Sequence, residues 1–315
     1  MTPQRDPRVA ALLPEAQATI NRVARSFALA ARFLPREVRD DINLLYLALR
    51  RLDDLVDLEA PSGSVQRADA ARRLAAIRTW LNSGAIEADG GEELVIFADL
   101  QRRTPALPID AIGAFLDGME SDLAGPVMES DADLDHYCYQ VAGTVGRLMA
   151  ALLGVRAGDD AQADHAARAL GAAMQRTNIL RDIDEDLANG RVYLPASALR
   201  SAGLDPAATS GPTSLRDGDR RALYLAEIAR ADADYEVGAA GIGHLENGGR
   251  SIRVAAHLYR EILRQIERDG FGVRRPHRPV VGRARKAVLL ARAVATGVGA
   301  RRAASPGVVL CPPAT

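Results

Sequence analysis

Apolar residues recur at three- and four-residue steps along nearly the whole chain, and nowhere do they alternate long enough to make a strand. That period restricts the fold to packed helices. Glu15 to Ala31 places Ile20, Val23, Phe27 and Ala31 on one face, and Pro35 separates it from a second segment, Arg36 to Leu58, which Pro61-Ser62-Gly63 ends. Residues 65–82, Glu92 to Arg103 and Ile109 to Leu123 follow, punctuated by Asn82-Ser83-Gly84, Pro105 and Pro108. Asp131 to Val155, Asp164 to Leu187, Arg220 to Gly238, Arg250 to Asp269 and Arg278 to Ala300 complete the helical set, and residues 201–219 read as loop. No repeat at solenoid period and no shift in composition divides the chain. The expectation is an all-α, single-domain bundle over residues 15–300, with a flexible segment at 1–14 and a disordered tail at 301–315.

Composition agrees. Aromatics make up only 4% of the 315 residues, so alanine and leucine carry the apolar load and favour helix over sheet. A formal net charge of -1 leaves no global field to recruit nucleic acid. Two cysteines, Cys138 and Cys311, offer neither a disulfide framework nor a zinc site. Met1 to Pro14 lack the apolar core of a signal peptide, and no uncharged apolar run is long enough to span a bilayer. A cytoplasmic protein is expected.

Chemistry enters at Asn178-Ile179-Leu180-Arg181-Asp182-Ile183-Asp184-Glu185-Asp186, followed by Arg191-Val192-Tyr193-Leu194-Pro195. Asp182 and Asp186 stand four apart, on one helix face, with Asn178 one turn earlier. Like charges at that spacing repel, and a bound cation would offset the repulsion. A second pair, Asp53 and Asp57, lies far upstream, with Asp54 between them and Arg50 one turn before. Two carboxylate pairs flanked by arginine suit Mg²⁺, which takes one or two carboxylates and completes its octahedron with water and phosphate oxygens. The residues by themselves therefore point to a metal and a diphosphate. A calcium loop starting at Asp182 is excluded, because Leu187 and Tyr193 occupy the places where Gly and Glu are required. Gly143 and Gly146, three apart in an apolar run, suggest close packing or a kink that lets a ligand approach.

Five motifs in order resemble the squalene/phytoene synthase family, over Val23 to Lys286: Arg25-Ser26-Phe27, Tyr46 to Asp57, Tyr137 to Gly146, Gln175 to Asp186 with Arg191 to Pro195, and Leu258 to Leu263. The resemblance implies an isoprenoid synthase-type helical bundle around a deep central cavity, with the two Asp-rich motifs facing each other across its mouth. It implies condensation of two prenyl diphosphates, head to head, through a cyclopropyl diphosphate. By that resemblance Asp53, Asp54, Asp57, Asn178, Asp182 and Asp186 are candidate ligands for two or three Mg²⁺ ions, with Mn²⁺ as a substitute. Arg25, Ser26, Tyr46, Arg50, Gln175, Asn178, Arg181 and Tyr259 are candidates for diphosphate binding, and Tyr137 for proton handling. Phe27, Val141, Ala142 and Gly143 are expected to line the cavity.

The chain departs from common family residues in the stretch Tyr46 to Arg51, at Ala24 and at Arg176, which bears on the substrate more than on the reaction class. The first reading is a phytoene synthase acting on geranylgeranyl diphosphate. The alternatives are a squalene or presqualene diphosphate synthase acting on farnesyl diphosphate, with NADPH only if squalene is formed, and a divergent terpene cyclase acting on one prenyl diphosphate. A catalytically silent helical assembly protein is the non-enzymatic reading. Either a monomer or a homodimer is compatible with the sequence. The basic stretch Arg274 to Lys286 keeps peripheral contact with an anionic membrane open.

Overall fold

The computed structural model describes residues 3–23, 34–56, 65–125, 127–208, 215, 219–272 and 279–282. Arg25, Ser26, Phe27 and Asp57 lie outside the described residues, as does the tail from 301. The described residues form helices α1 (Pro7–Ala11), α2 (Leu13–Val23), α3 (Arg36–Val56), α4 (Val65–Ser83), α5 (Gly91–Arg103), α6 (Ile109–Ala124), α7 (Asp131–Cys138), α8 (Thr144–Leu153), α9 (Asp160–Ala188), α10 (Ala196–Ser201), α11 (Arg220–Gly241) and α12 (Gly249–Arg268). The only β pairing among them is a single bridge between Val155 and Leu245. The all-α expectation is met.

Two apolar cores flank the middle of the molecule. One gathers on α3, where Ile42, Leu44, Leu45, Leu47, Leu49 and Leu52 are buried around most of the circumference, as in a helix enclosed by others. It packs against α4, α5, α6 and α8. The other joins α9, α11 and α12 through Leu180, Ile183, Ile228, Tyr235 and Leu263. A smaller cluster of Met128, Leu134, Tyr137, Cys138 and Ile179 ties α7 to α9.

Local chemistry explains several boundaries. Ser130 and Asp133 form a reciprocal capping box that starts α7. The segment expected as one helix from Asp131 to Val155 is interrupted by a π turn over Tyr139–Gly143. There the Thr144 N–H reaches the Tyr139 carbonyl, and the Thr144 hydroxyl donates to the Gln140 carbonyl at 2.6 Å. The N-terminal segment expected to be flexible carries α1, with Val9 fully buried and Arg5 paired with Asp41 at 2.7 Å. Residues 279–282, expected within a helix from Arg278 to Ala300, are not helical. The stretch 201–219, read as loop, follows the end of α10 and contains a short 3₁₀ turn at Pro206–Ala208.

Candidate active site

A cavity of about 850 Å³ runs between the two cores. Helix α9 forms one wall along most of its length, from Ala163 to Arg181. Its polar lining residues, Gln175, Asn178 and Arg181, all belong to the C-terminal end, and the residues that line the cavity between Ala163 and Met174 are apolar. Tyr46, Arg50 and Asp53 of α3 and Tyr259 of α12 border the same cavity. Tyr46 feels the charges of Arg50 and Asp53 and the ring of Tyr259, and Arg181 in turn feels Tyr259. The polar residues of both walls therefore meet at one end, and the other end is hydrocarbon.

At the polar end Arg50 donates to Asp53 at 2.8 Å and also pairs with Asp54. Burial opposes the charge of Arg50, but Asp53 and Asp54 outweigh it and its pKa rises. Arg181 holds Asp182 through two points, with Nε at 2.8 Å. Burial again opposes that charge and Asp182 overcomes it. Both guanidiniums stay charged and offer their fork of donors to phosphate oxygens. Burial pushes the Tyr46 phenol up to about 12. The Asn178 amide nitrogen donates to the Gln175 side-chain oxygen at 3.3 Å, which leaves the buried Asn178 Oδ1 without a hydrogen-bond partner. A buried carbonyl oxygen with nothing donated to it is costly unless a ligand supplies the partner.

The cavity thus brings together Tyr46, Arg50, Asp53, Tyr137, Gln175, Asn178, Arg181 and Tyr259, with Val141 and Ala142 as lining. It does not include Asp54, Asp182 or Asp186. Asp54 is exposed, Asp182 is turned onto Arg181, and Asp186 borders a separate small crevice with Arg191 and Tyr193. Gly143, expected as lining, does not border the cavity. Its hydrogens face the body of the protein, where a Cβ would stand 2.9 Å from the Tyr139 ring and 3.3 Å from the Arg168 carbonyl. Gly146 and Gly171 serve the close approach of α8 and α9. A Cβ on either would collide with a backbone carbonyl, of Ala167 and Ala142 respectively.

Three features went unread in the sequence. Asp122, in the last turn of α6, borders the cavity and accepts a hydrogen bond from the Tyr137 hydroxyl at 2.9 Å. Tyr193 stacks on Tyr137 with ring centroids 5.2 Å apart. Burial, reinforced by the Asp122 charge, holds the Tyr137 phenol far above the ordinary tyrosine range. The available signal for Asp122 was its position: an acid in a helix's last turn opposes the macrodipole, so it calls for a separate reason. Arg22 also borders the cavity.

No three His, Cys, Asp or Glu side chains among the described residues converge on a metal position. Mg²⁺ does not need such a cage, because water and phosphate oxygens complete its shell. The hard oxygens of Asp53 and the unpartnered Asn178 Oδ1 fit that ion. No helix among the described residues is long and apolar enough to cross a membrane.

Comparison with known proteins agrees with this geometry. The squalene/phytoene synthase family profile matches residues 20–285. A phytoene synthase from Thermus thermophilus is 38% identical over 259 residues, covering 78% of this chain and 80% of the relative. A presqualene diphosphate synthase from Rhodopseudomonas palustris is 33% identical, covering 84% of this chain and 91% of the relative. Among solved structures, a dehydrosqualene synthase in complex with a ligand superposes with a TM-score of 0.74 at 25% identity, over 92% of this chain and 98% of that one.

Proposed function

The chain belongs to the squalene/phytoene synthase family of prenyltransferases, and from that premise we propose that it condenses two geranylgeranyl diphosphates head to head to phytoene. The observation that carries this reading is the polarity of one cavity: cationic and oxygen donors at one end, hydrocarbon along the rest. That is the shape of a prenyl diphosphate. The phytoene synthase relatives support the longer substrate.

Arg50 and Arg181 grip the diphosphate, with Tyr46, Gln175 and Tyr259 beside them. Asp53 and Asn178 hold Mg²⁺, with Mn²⁺ as a substitute, and Asp57, Asp182 and Asp186 are offered as further ligands once substrate is present. The ion, when bound, neutralises charge developing on the leaving oxygens. Val141, Ala142 and the apolar length of α9 keep water from the allylic cation. The first half-reaction releases one diphosphate and one proton and leaves a cyclopropyl diphosphate. The second releases the other diphosphate and a second proton. Tyr137 presents a neutral hydroxyl whose hydrogen is held by Asp122, so a proton arriving at the phenol oxygen has a carboxylate behind it. Arg25, Ser26 and Phe27 are assigned to binding and lining by family resemblance alone. The basic stretch Arg274 to Lys286 supports a cytoplasmic enzyme resting on an anionic membrane, where such substrates partition.

The presqualene diphosphate synthase relative favours a second reading with farnesyl diphosphate. Product analysis with Mg²⁺ decides between them. Phytoene from geranylgeranyl diphosphate without NADPH is expected. Presqualene diphosphate or squalene from farnesyl diphosphate, with the longer substrate untouched, would establish the second reading. Diphosphate release from neither substrate would sink both.

A further inference from the structure

The second acidic motif is held from behind, and we propose that Arg220 is its positioning residue: by gripping Asp184 on the far side of α9 it fixes the turns that present Asp182 and Asp186. The inference rests on the metal and diphosphate reading of the site and adds what sets the geometry of these acids.

Asp184 stands midway between Asp182 and Asp186 in the chain, about half a turn around the helix from both. It therefore faces away from the side that carries Asn178, Asp182 and Asp186. The end of α9 is otherwise poorly supported. Asp182, Asp184, Glu185 and Asp186 crowd it, its last turn holds no basic residue, and the negative pole of the helix opposes these acids. Metal-binding side chains need to be kept within about 0.5 Å of their working geometry by the groups behind them.

Arg220 supplies that support although its own position is unfavourable. The Asp219 carboxylate caps α11 by accepting from the Ala222 N–H at 2.8 Å, so Arg220 is the first residue of the helix and stands at its positive pole. The reason for a cation there lies across the interface with α9. Its Nη2 donates to both oxygens of Asp184 at 2.9 Å and to the Tyr224 hydroxyl at 2.9 Å, and its Nε donates to the Phe271 carbonyl at 2.6 Å. Arg220 is buried, so releasing Asp184 would strand a charge away from water.

The Phe271 carbonyl is itself held. Gly270, Phe271 and Gly272 all lie in the left-handed region, at φ 69°, 58° and 79°, and Phe271 is the only non-glycine residue with positive φ among the described residues. A phenylalanine keeps that conformation only where its surroundings over-determine it. Here the Phe271 N–H donates to the Ile266 carbonyl at 2.9 Å, and its ring lies against that of Tyr224 with centroids 6.1 Å apart. A Cβ on Gly272 would stand 2.5 Å from the Arg220 guanidinium and 3.3 Å from the Asp184 carboxylate, so the turn closes over the pair. Arg220 is thus anchored to the turn that ends α12, and Asp184 is anchored to Arg220.

The test uses Mn²⁺ with inorganic diphosphate, so that binding is read without turnover. Electron paramagnetic resonance of the free ion gives the Mn²⁺ Kd, and urea midpoints give stability. Arg220→Gln and Asp184→Asn are each expected to raise that Kd by about 10–100-fold, the usual cost of losing a group behind a metal ligand. Both changes together are expected to cost no more than the larger single loss, because the two residues act as one unit. Arg220→Lys keeps the charge but cannot fork between a carboxylate and a carbonyl, so its Kd is expected to fall between. Should Arg220→Gln not fold, Asp184→Asn, which keeps the shape and removes only the charge, carries the test. Folded variants with a lower urea midpoint and an unchanged Mn²⁺ Kd would make the pair a structural tie and overturn the proposal, as would unaltered protein that binds no Mn²⁺ with diphosphate. The phytoene reading fails separately: if unaltered protein condenses farnesyl diphosphate instead, that reading is lost while the shift in Mn²⁺ Kd stands.

Discussion

The Tyr137 hydroxyl donates to Asp122 at 2.9 Å, across the gap between α7 and the last turn of α6. Both residues border the cavity, and Tyr193 stacks on the tyrosine ring. If this pair takes the protons released in the two half-reactions, Asp122→Asn and Tyr137→Phe should each lower kcat by about 10²–10⁴-fold, the usual worth of a positioned acid or base. Unchanged circular dichroism and near-unchanged KM are expected alongside. The double variant should lose little more than either single, because the two groups act as one unit. Two losses that simply multiply would assign Asp122 a different task.

The same pair gives a stability prediction. Burial raises the Tyr137 pKa, so above about pH 10 an unfolded tyrosine ionises while this one keeps its proton. The folded state then binds more protons than the unfolded state, and stability falls as pH rises through that point. Urea midpoints between pH 8 and 11 should fall more steeply in the unaltered protein than in Tyr137→Phe. Below pH 10 no kinetic inflection should belong to this phenol.

Asn178 offers a test of metal binding that is independent of the acids. Its Oδ1 is buried without a hydrogen-bond partner and its amide nitrogen is engaged by Gln175. Asn178→Leu should cost little stability, since it removes an unsatisfied group. It should raise the Mg²⁺ concentration needed for half-maximal diphosphate release by about 10–100-fold, the range seen when a metal site loses supporting polar contacts. Asp53→Ala should abolish release while the protein remains folded. A metal requirement that does not move in Asn178→Leu would assign that oxygen to substrate instead.

How much of this was legible in the sequence depends on whether a residue's role is local. The helices of α3, α9 and α12 follow from a period that repeats over many turns, and their spans agree closely with expectation. Tyr46 and Arg181 are expected from the family resemblance, whereas Arg50, Asp53 and Asn178 fall on faces that spacing defines. Asp122 does not, because its partner Tyr137 is fifteen residues away and across a loop. The π turn at Tyr139–Gly143 escaped for a related reason. Gly143 and Gly146 announced a close approach but not which side would be approached, and only the position of α9 settles that. Gly143 was therefore assigned to the cavity although its hydrogens face the Arg168 carbonyl.

Arg176 was visible only as a departure from common family residues, and its environment explains why a charged residue is kept there. Its side chain is 2% exposed and bridges Glu227 of α11, also 2% exposed, to Asp135 of α7. It thus binds together the two helices beside α9, one residue from the cavity-lining Gln175 and next to the α7 turn that carries Tyr137. Arg176→Met should destabilise the protein by about 3–5 kcal/mol, because Glu227 is left charged and buried without its partner. Arg176→Met with Glu227→Gln should recover much of that loss, since removing both charges is often nearly neutral. Urea unfolding of the two single variants and the double variant measures this as a coupling energy. If the double variant is no more stable than Arg176→Met, the bridge to Asp135 rather than to Glu227 carries the effect, and Arg176→Met with Asp135→Asn becomes the pair that recovers.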